Sequence, residues 1–263
     1  MHPLKLTGKI FYGIGVAGIG LLHFIYPGFR PFMLPIPAEA TKDLSILVYL
    51  TGAILIAAGL YIAFFQKVKS VALYLGLLFL SFFLFGHLPN RLTNHPEILG
   101  MWIDALKILS FSGGAFIVAT AFIDNKQGSL EKFAQIGKYF FALLLVLFGL
   151  THFIYLDFVK PLVPRWIPGG ELPWTYIGGI ALIGSGVAIF VNFKPKLIGI
   201  LLGTMLFIWL MILHIPRAIA APPTDNGNEL TSVFQALAFS GMAFLYAVTK
   251  NTSHKNLQPL PKI

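Results

Sequence analysis

The sequence predicts an all-α polytopic membrane protein with eight transmembrane helices, arranged as two fused four-helix bundles. Of the 263 residues, 57% are hydrophobic and 11% are charged, whereas an average soluble domain carries about 25% charged residues. The apolar residues also gather in runs of helical length, and the two halves of the chain resemble each other. A soluble globule of this size would leave roughly a quarter of its unfolded surface in water. The composition therefore indicates that lipid surrounds most of the chain.

Eight apolar runs are each long enough for one crossing, since a helix spans the hydrocarbon core with about 20 residues. A transmembrane β-barrel would instead show segments of about 10 residues that alternate between apolar and polar. The run Phe140–Leu150 is apolar on every face, which favours helices. The predicted spans are 9–26, 44–65, 69–88, 101–123, 137–155, 174–193, 196–215 and 231–249.

The first span resembles a signal peptide, because Lys5 and Lys9 precede its apolar stretch. No small-residue cleavage site follows, and the run ends in His23-Phe-Ile-Tyr. The same four residues, beginning at His152, end the fifth span in mid-chain, where no leader can lie. We therefore expect the first span to remain in the mature protein.

The basic residues predict the orientation, because lysine and arginine are enriched in cytoplasmic loops. Twelve of them follow the N-terminal side of the predicted spans and six the opposite side, so both termini are expected in the cytoplasm. The net charge of +9 then describes a basic fringe that attracts anionic headgroups, and no pattern indicates nucleic-acid binding. The twelve are Lys5, Lys9, Lys67, Lys69, Lys126, Lys132, Lys138, Lys194, Lys196, Lys250, Lys255 and Lys262, and the six are Arg30, Lys42, Arg91, Lys160, Arg165 and Arg217.

The chain contains an internal repeat at an interval of 127–129 residues. It predicts a tandem duplication of a four-span unit, with residues 1–125 as the first half and 126–263 as the second. Because each unit has an even number of spans, both halves should share one orientation and be related by a pseudo-two-fold axis along the membrane normal. The matching positions include His23 and His152, Gly52 and Gly179, Gly59 and Gly186, His87 and His214, and Phe111 and Phe239.

Four histidines are predicted near the outer ends of the odd-numbered spans: His23, His87, His152 and His214. An unpaired buried imidazole costs about 1–3 kcal/mol, and ionisable groups inside a membrane are candidates for function. A hydrogen-bonded structural or small-molecule pocket is the first interpretation. The alternative is that a pair of imidazoles holds haem iron or a divalent metal. The chain has no cysteine and no span carries His-x-x-His or Glu-x-x-His spacing, which disfavours the metal.

Basic residues accompany the histidines. Arg91 and Arg217 each follow a proline, Pro89 or Pro216, that we expect to end the helix at the membrane boundary. Such a helix tip can bind an acidic headgroup, a quinone carbonyl or a small anion, or the arginine can extend to lipid phosphate. The same alternatives apply to a second pair, Arg30 and Lys160.

One pair of opposite charges lies inside a predicted span. Asp104 and Lys107 are three residues apart on one helix face, which predicts an intramembrane ion pair. The second half has Ser232 and Gln235 instead, so the pair is not part of a duplicated function.

Glycines inside the spans predict close helix packing. The run Gly13-Ile-Gly-Val-Ala-Gly matches the dinucleotide-binding pattern, but that pattern needs a preceding strand and an aqueous domain.

The chain resembles the DoxX-like family of small membrane proteins. The likeness rests on His23-Phe-Ile-Tyr-Pro-Gly-Phe with Pro35 and Pro37, and on His152-Phe-Ile-Tyr-Leu-Asp-Phe with Pro164 and Pro168. The family unit is a four-span bundle, so the resemblance implies a fused pair over nearly the whole length. Family members typically carry an acidic residue after the glycine of the second span. Here Ala53 and Ile180 stand at those positions.

The resemblance implies a bacterial inner-membrane protein, because relatives accompany quinol-oxidase and thiosulfate–quinone chemistry. We expect a non-catalytic accessory protein of a membrane redox system that binds a quinone or another lipid-like molecule. The alternatives are a redox protein with histidine-ligated haem or metal, with the four histidines as ligands, and a small-solute transporter. The expected partners are membrane lipids, a quinone or a respiratory complex, and no resident cofactor is the first expectation. The sequence leaves the oligomeric state open.

Overall fold

The computed structural model describes residues 2–41, 43–122 and 128–249, and the predicted junction between the halves, at 125/126, lies outside these ranges. All regular secondary structure within them is helical. The first half contains α1 (Pro3–Ile25), α2 (Ala38–Thr41), α3 (Ser45–Phe64), α4 (Lys69–Ser81), α5 (Leu88–Thr93) and α6 (Leu99–Ala121). The second half contains α7 (Ser129–Ala134), α8 (Gly137–Ile154), α9 (Leu156–Val159), α10 (Glu171–Phe190), α11 (Pro195–Trp209), α12 (Ile215–Ala220) and α13 (Asn228–Tyr246). Short 3-10 turns occupy Lys160–Leu162 and Pro223–Asp225.

Seven helical segments in the described ranges are long and apolar enough to cross a membrane, and they coincide with the first seven predicted spans. The eighth predicted span, 231–249, overlaps helix α13, which is not among the seven. Its first half carries polar residues such as Glu229 and Gln235. The seven segments are Pro3–Ile25, Ser45–Phe64, Lys69–Thr93, Leu99–Ala121, Ser129–Ile154, Glu171–Phe190 and Pro195–Ala220.

The two halves are interleaved. Helix α1 packs against α3 of its own half and against α13 of the other, while α6 packs against α4 and against α8. Helices α1 and α6 of the first half barely touch each other, whereas α6 and α13 meet at the centre. Helices α1 and α6 therefore each join the first half of the chain to the second. The central helices bury their apolar faces against the opposite half, and the described residues form one core.

Glycines permit these close crossings, as the sequence predicted. A Cβ atom at Gly13 would lie 2.5 Å from the carbonyl oxygen of Gly59, and one at Gly241 would lie 2.6 Å from the carbonyl oxygen of Gly8. Gly13 lies in the run that matches the dinucleotide-binding pattern, and it serves to pack α1 against α3. Any side chain at these positions would force two backbones apart.

Equivalent contacts occur in both halves at the interval of the sequence repeat. The Ser112 hydroxyl donates to the Gly76 carbonyl at 2.8 Å, and the Ser240 hydroxyl donates to the Gly203 carbonyl at the same distance. The phenyl rings of two phenylalanines stack on tyrosines in the same way, and the two crossings between the halves use corresponding glycines. These contacts join Phe24 to Tyr49 and Phe153 to Tyr176, and Gly8 to Gly241 and Gly137 to Gly113.

The prolines after His87 and His214 do not end their helices, contrary to expectation. A π-helical turn, Phe82–His87, joins α4 to α5, and a second one, Leu210–His214, joins α11 to α12. Because proline has no N–H and its ring crowds the carbonyl one turn back, the helix widens before it and then continues. At the end of the first of these turns, the backbone amide of Leu88 donates to the carbonyl of Phe83, five residues back.

Candidate functional site

The four candidate histidines lie at one end of the helical assembly, which we call the histidine end. His23 and His152 stand near the C-termini of α1 and α8, and His87 and His214 end the two π-helical turns. Three hydrogen bonds connect the loops of this end: His87 Nε2 to the Phe32 carbonyl (3.0 Å), an Arg30 N–H to the Asn226 carbonyl (2.6 Å), and the Gly100 N–H to the Tyr155 hydroxyl (3.0 Å).

The opposite end carries lysines, and we call it the lysine end. The ammonium group of Lys9 donates to the Phe65 carbonyl at 2.6 Å, and Lys69 forms an ion pair with Glu131 at 3.3 Å. The Lys9 side chain is buried and also lies 5.7 Å from the centre of the Phe122 ring. The charged groups of the two ends are therefore separated by the length of the apolar helices.

In the first half, both candidate histidines are enclosed. His23 is 0% exposed and His87 is 1% exposed. Nδ1 of His23 donates to the Ile19 carbonyl at 2.9 Å, and Nε2 of His87 donates to the Phe32 carbonyl. Since a carbonyl oxygen only accepts, these two nitrogens carry the protons, and in neutral rings the other nitrogens bear lone pairs. Those lone pairs, on His23 Nε2 and His87 Nδ1, are buried and have no partner among the described residues.

The loop after α1 covers this pair. The ring of Phe29 meets the His23 ring edge-on, with ring centres 6.1 Å apart, and the backbone carbonyl of Phe32 holds His87. Phe29, Phe32 and the neighbouring Met33 are all buried. Residues of the loop after α1 therefore cover each of the two histidines, and we call the two rings together with this cover the capped site.

The second pair of histidines is more open. Nδ1 of His152 donates to the Phe148 carbonyl at 2.9 Å, as in the first half, but its ring is partly exposed. His214 is also partly exposed, and its Nδ1 is buried without a partner in the described ranges. The charges of Glu229 and Lys107 lie within electrostatic range of the His214 ring. The two pairs of histidines therefore differ in their surroundings.

Arg30 anchors the loop that covers the capped site. Its side chain is 5% exposed and donates to the carbonyls of Asn226 (2.6 Å) and Tyr26 (3.3 Å). Burial lowers the pKa of Arg30, while the nearby Tyr26 and Asp225 raise it. Lys160, the other predicted loop cation, is partly buried in a 3-10 turn and forms no ion pair with a described residue. Arg30 therefore holds its loop through hydrogen bonds to backbone carbonyls, whereas Lys160 forms no ion pair with a described residue.

Two ion pairs lie near the histidine end. Lys107 and Asp104 pair at 3.1 Å, three residues apart on one helix face. Arg217 pairs with Glu229 through two hydrogen bonds, one of them 3.1 Å long between Nε and Oε2. The sequence alone did not identify Glu229 as the partner of Arg217. The signal lay in two opposite charges that flank the short connection between α12 and α13.

A groove of about 380 Å³ lies beside the capped site, and sequence reasoning missed it. One wall is the segment after Phe32 and the other is the first π-helical turn with its flanking residues. The groove is mostly apolar, with one hydroxyl and one amide side chain in its lining. The lining residues are Leu34, Pro35, Ile36, Ser81, Phe82, Phe85, Gly86 and Asn90.

A metal centre built from three or more ligands finds no matching arrangement in the described part of the chain. Nowhere in these ranges do three histidine, aspartate or glutamate side chains gather closely enough to hold one ion. The four candidate histidines therefore do not converge on a single point.

Comparison with known proteins gives one partial match. A family model described as a domain of unknown function (DUF8561) matches residues 141–237, which lie within the second half of the chain. No curated protein and no solved structure matches the chain.

Proposed function

We propose that this chain is a non-catalytic membrane protein that binds a hydroxyl-bearing, lipid-like molecule of the quinol type at its histidine end. It would act as an accessory protein of a membrane redox system. The proposal rests on two buried ring nitrogens of the capped site, His23 Nε2 and His87 Nδ1. Neither has a hydrogen-bond partner among the described residues.

The chemistry of those nitrogens selects the ligand class. Each is the acceptor side of a neutral imidazole, because the other ring nitrogen donates to a backbone carbonyl. A ligand that satisfies either of them must bring a hydrogen-bond donor, and a phenolic hydroxyl of a quinol does so. A quinone carbonyl would need the opposite tautomer, and with it the loss of the bonds to the Ile19 and Phe32 carbonyls.

The groove supports an apolar ligand. Its volume of about 380 Å³ falls in the range of small-molecule sites, roughly 300–1,000 Å³. It borders the capped site, since Gly86 lines the groove next to His87, and Leu34 follows the Phe32–Met33 segment that covers the ring. We propose that the ring or tail of the ligand occupies this groove from the lipid side.

The membrane arrangement completes the proposal. We infer that α13 is an eighth span and that the halves are related by a two-fold axis along the membrane normal. The equivalent serine and glycine contacts support this relation. We also infer a bacterial inner membrane with both termini in the cytoplasm, which the lysine bias supports. The DoxX-like resemblance supports the association with quinone chemistry.

The test is to purify the protein in a mild detergent and to extract and identify bound lipids by mass spectrometry. His23→Asn keeps a donor at the position of Nδ1 and deletes Nε2, and His87→Gln keeps a donor at the position of Nε2 and deletes Nδ1. Each loses one hydrogen bond of about 1 kcal/mol, which is about fivefold in affinity for an added quinol.

His152→Asn is the matched control, because His152 makes the same carbonyl bond without a buried orphan nitrogen. It should retain wild-type binding. Equal losses in all three variants, or no quinol-type molecule in the wild-type extract and no binding of added quinol, would refute the proposal. A haem absorption band or stoichiometric metal in the same preparation would support the redox-protein alternative instead.

A further inference from the structure

Two arginines at the histidine end have closely related settings. Arg91 lies two residues beyond Pro89 and Arg217 one residue beyond Pro216, and each reaches the first turns of the next long helix. Arg217 reaches Glu229 of α13, and Arg91 reaches Met101 of α6. Met101 and Glu229 are corresponding residues, because 128 positions separate them, the same interval that separates the paired serines of α6 and α13.

The two arginines differ in whether a carboxylate neutralises them. Both carboxylate oxygens of Glu229 accept hydrogen bonds from Arg217, one from Nε and one from a terminal nitrogen. Arg91 donates only to neutral oxygens, the Met101 backbone carbonyl at 3.2 Å and the side-chain amide of Asn90. Its Nε is buried and has no partner in the described ranges, and none of their carboxylates lies within 4.0 Å of its guanidinium.

Neither carboxylate near Arg91 in the sequence neutralises it. Asp104 pairs with Lys107 at 3.1 Å, and Glu97 is exposed and lies 3.6 Å from Nδ1 of His95 on the connection between α5 and α6. Arg91 therefore keeps a positive charge with an unused donor. A guanidinium presents its N–H groups as a planar fork that matches carboxylate and phosphate oxygens, and such bonds are stronger than neutral ones.

We propose that Arg91 binds an oxyanion from outside the chain, a carboxylate or a phosphate, in the place that the Glu229 side chain occupies against Arg217. One oxygen accepts from Nε, and a second accepts from a terminal nitrogen. This site is distinct from the capped site and does not rest on the proposed quinol binding. Two sources carry this chemistry at a membrane boundary: the headgroup of an anionic lipid and a small soluble anion.

The test places the missing carboxylate back into the chain. Met101→Glu gives α6 the residue that α13 has at the corresponding position, so the new carboxylate should neutralise Arg91 and exclude the oxyanion. Met101→Gln is the matched control, because it has the same size without the charge. Met101 is 41% exposed, so both substitutions are compatible with folding. Glu229→Met is the reciprocal change, since it frees Arg217 and should add a second site.

The probes are phosphatidylglycerol, phosphatidylcholine and inorganic phosphate. Native mass spectrometry counts bound lipids, and inorganic phosphate serves as the soluble competitor. The proposal expects phosphatidylglycerol or phosphate to bind the wild type and the Gln variant at least about tenfold more tightly than the Glu variant, a difference of about 1.4 kcal/mol. It also expects one additional bound anion in Glu229→Met.

The outcomes separate the sources. If the protein retains phosphatidylglycerol in preference to phosphatidylcholine and inorganic phosphate does not displace it, the ligand is a lipid headgroup. If inorganic phosphate displaces it, the ligand is a soluble anion. Equal binding by Met101→Glu and Met101→Gln for both probes overturns the proposal. If Met101→Glu does not fold, Arg91→Gln is compared with Arg217→Gln: only the first should lose the anion, and retention by Arg91→Gln overturns the proposal.

Discussion

Replacing Gly241 by alanine tests the interleaving of the two halves directly. Gly241 lies in α13, and a Cβ atom there would lie 2.6 Å from the carbonyl oxygen of Gly8 and 2.6 Å from the backbone nitrogen of Tyr12, both in α1. Ordinary contacts between heavy atoms are about 3.5–4.0 Å. Because both neighbours are backbone atoms, no rotamer change relieves the clash, and the first and last long helices must separate by about 1 Å.

The expected loss of stability combines two opposing effects. Overpacking of this kind costs about 1–3 kcal/mol, and replacing glycine by alanine within a helix returns about 0.5–1 kcal/mol. The net destabilisation is therefore about 1–2 kcal/mol. At about 2–4 °C per kcal/mol for a chain of this size, the apparent Tm should fall by several degrees.

The assay is thermal unfolding in detergent, followed by circular dichroism. Gly184→Ala is the control, because Gly184 lies in α10 and a Cβ atom there meets no heavy atom within 4 Å. The control should keep its Tm or gain slightly from the better helix propensity of alanine. An unchanged Tm for Gly241→Ala, or an equal fall in both variants, would mean that α1 and α13 do not approach as described.

Four further substitutions test individual hydrogen bonds. Ser112→Ala and Ser240→Ala each remove one buried bond to a glycine carbonyl, so each should lower the unfolding free energy by about 0.5–1.5 kcal/mol and by similar amounts. Arg30→Gln removes a charged donor to the Asn226 carbonyl and should cost about 1.5–3 kcal/mol, with faster hydrogen exchange in the loop after α1. Tyr155→Phe removes one bond from a backbone amide and should cost about 1 kcal/mol in the same unfolding assay.

Each of these expectations has a contrary outcome. A serine pair with very different effects would show that the two crossings are not equivalent in energy. Unchanged hydrogen exchange in Arg30→Gln would show that the arginine does not hold the loop over the capped site. A loss well above one hydrogen bond in Tyr155→Phe would indicate that the tyrosine ring itself rearranges.

The sequence predicted the helices well, because long apolar runs have few other stable states in lipid. Seven predicted spans coincide with seven candidate membrane helices, and the pair Asp104–Lys107 follows from their spacing on one face. The prediction that Pro89 and Pro216 end their helices was wrong, because a proline can either end a helix or widen the turn before it. The choice in favour of a π-helical turn depends on the neighbouring helices that keep the segment aligned.

The sequence by itself determined which segments are helical, where glycines allow close approach, and that four histidines occur in matching places. It could not determine which helices pack against each other. Most helix faces are similarly apolar, and an apolar face can contact either lipid or another helix. The tertiary structure decided that α1 meets α13 and that α6 meets α8. It also decided that the first pair of histidines is enclosed while the second is not. Whether a histidine is buried, and whether its ring nitrogens find hydrogen-bond partners, depends on loops that contact distant parts of the chain. The hydrogen bond from Arg30 to the Asn226 carbonyl is one such contact, and no local sequence pattern predicts it.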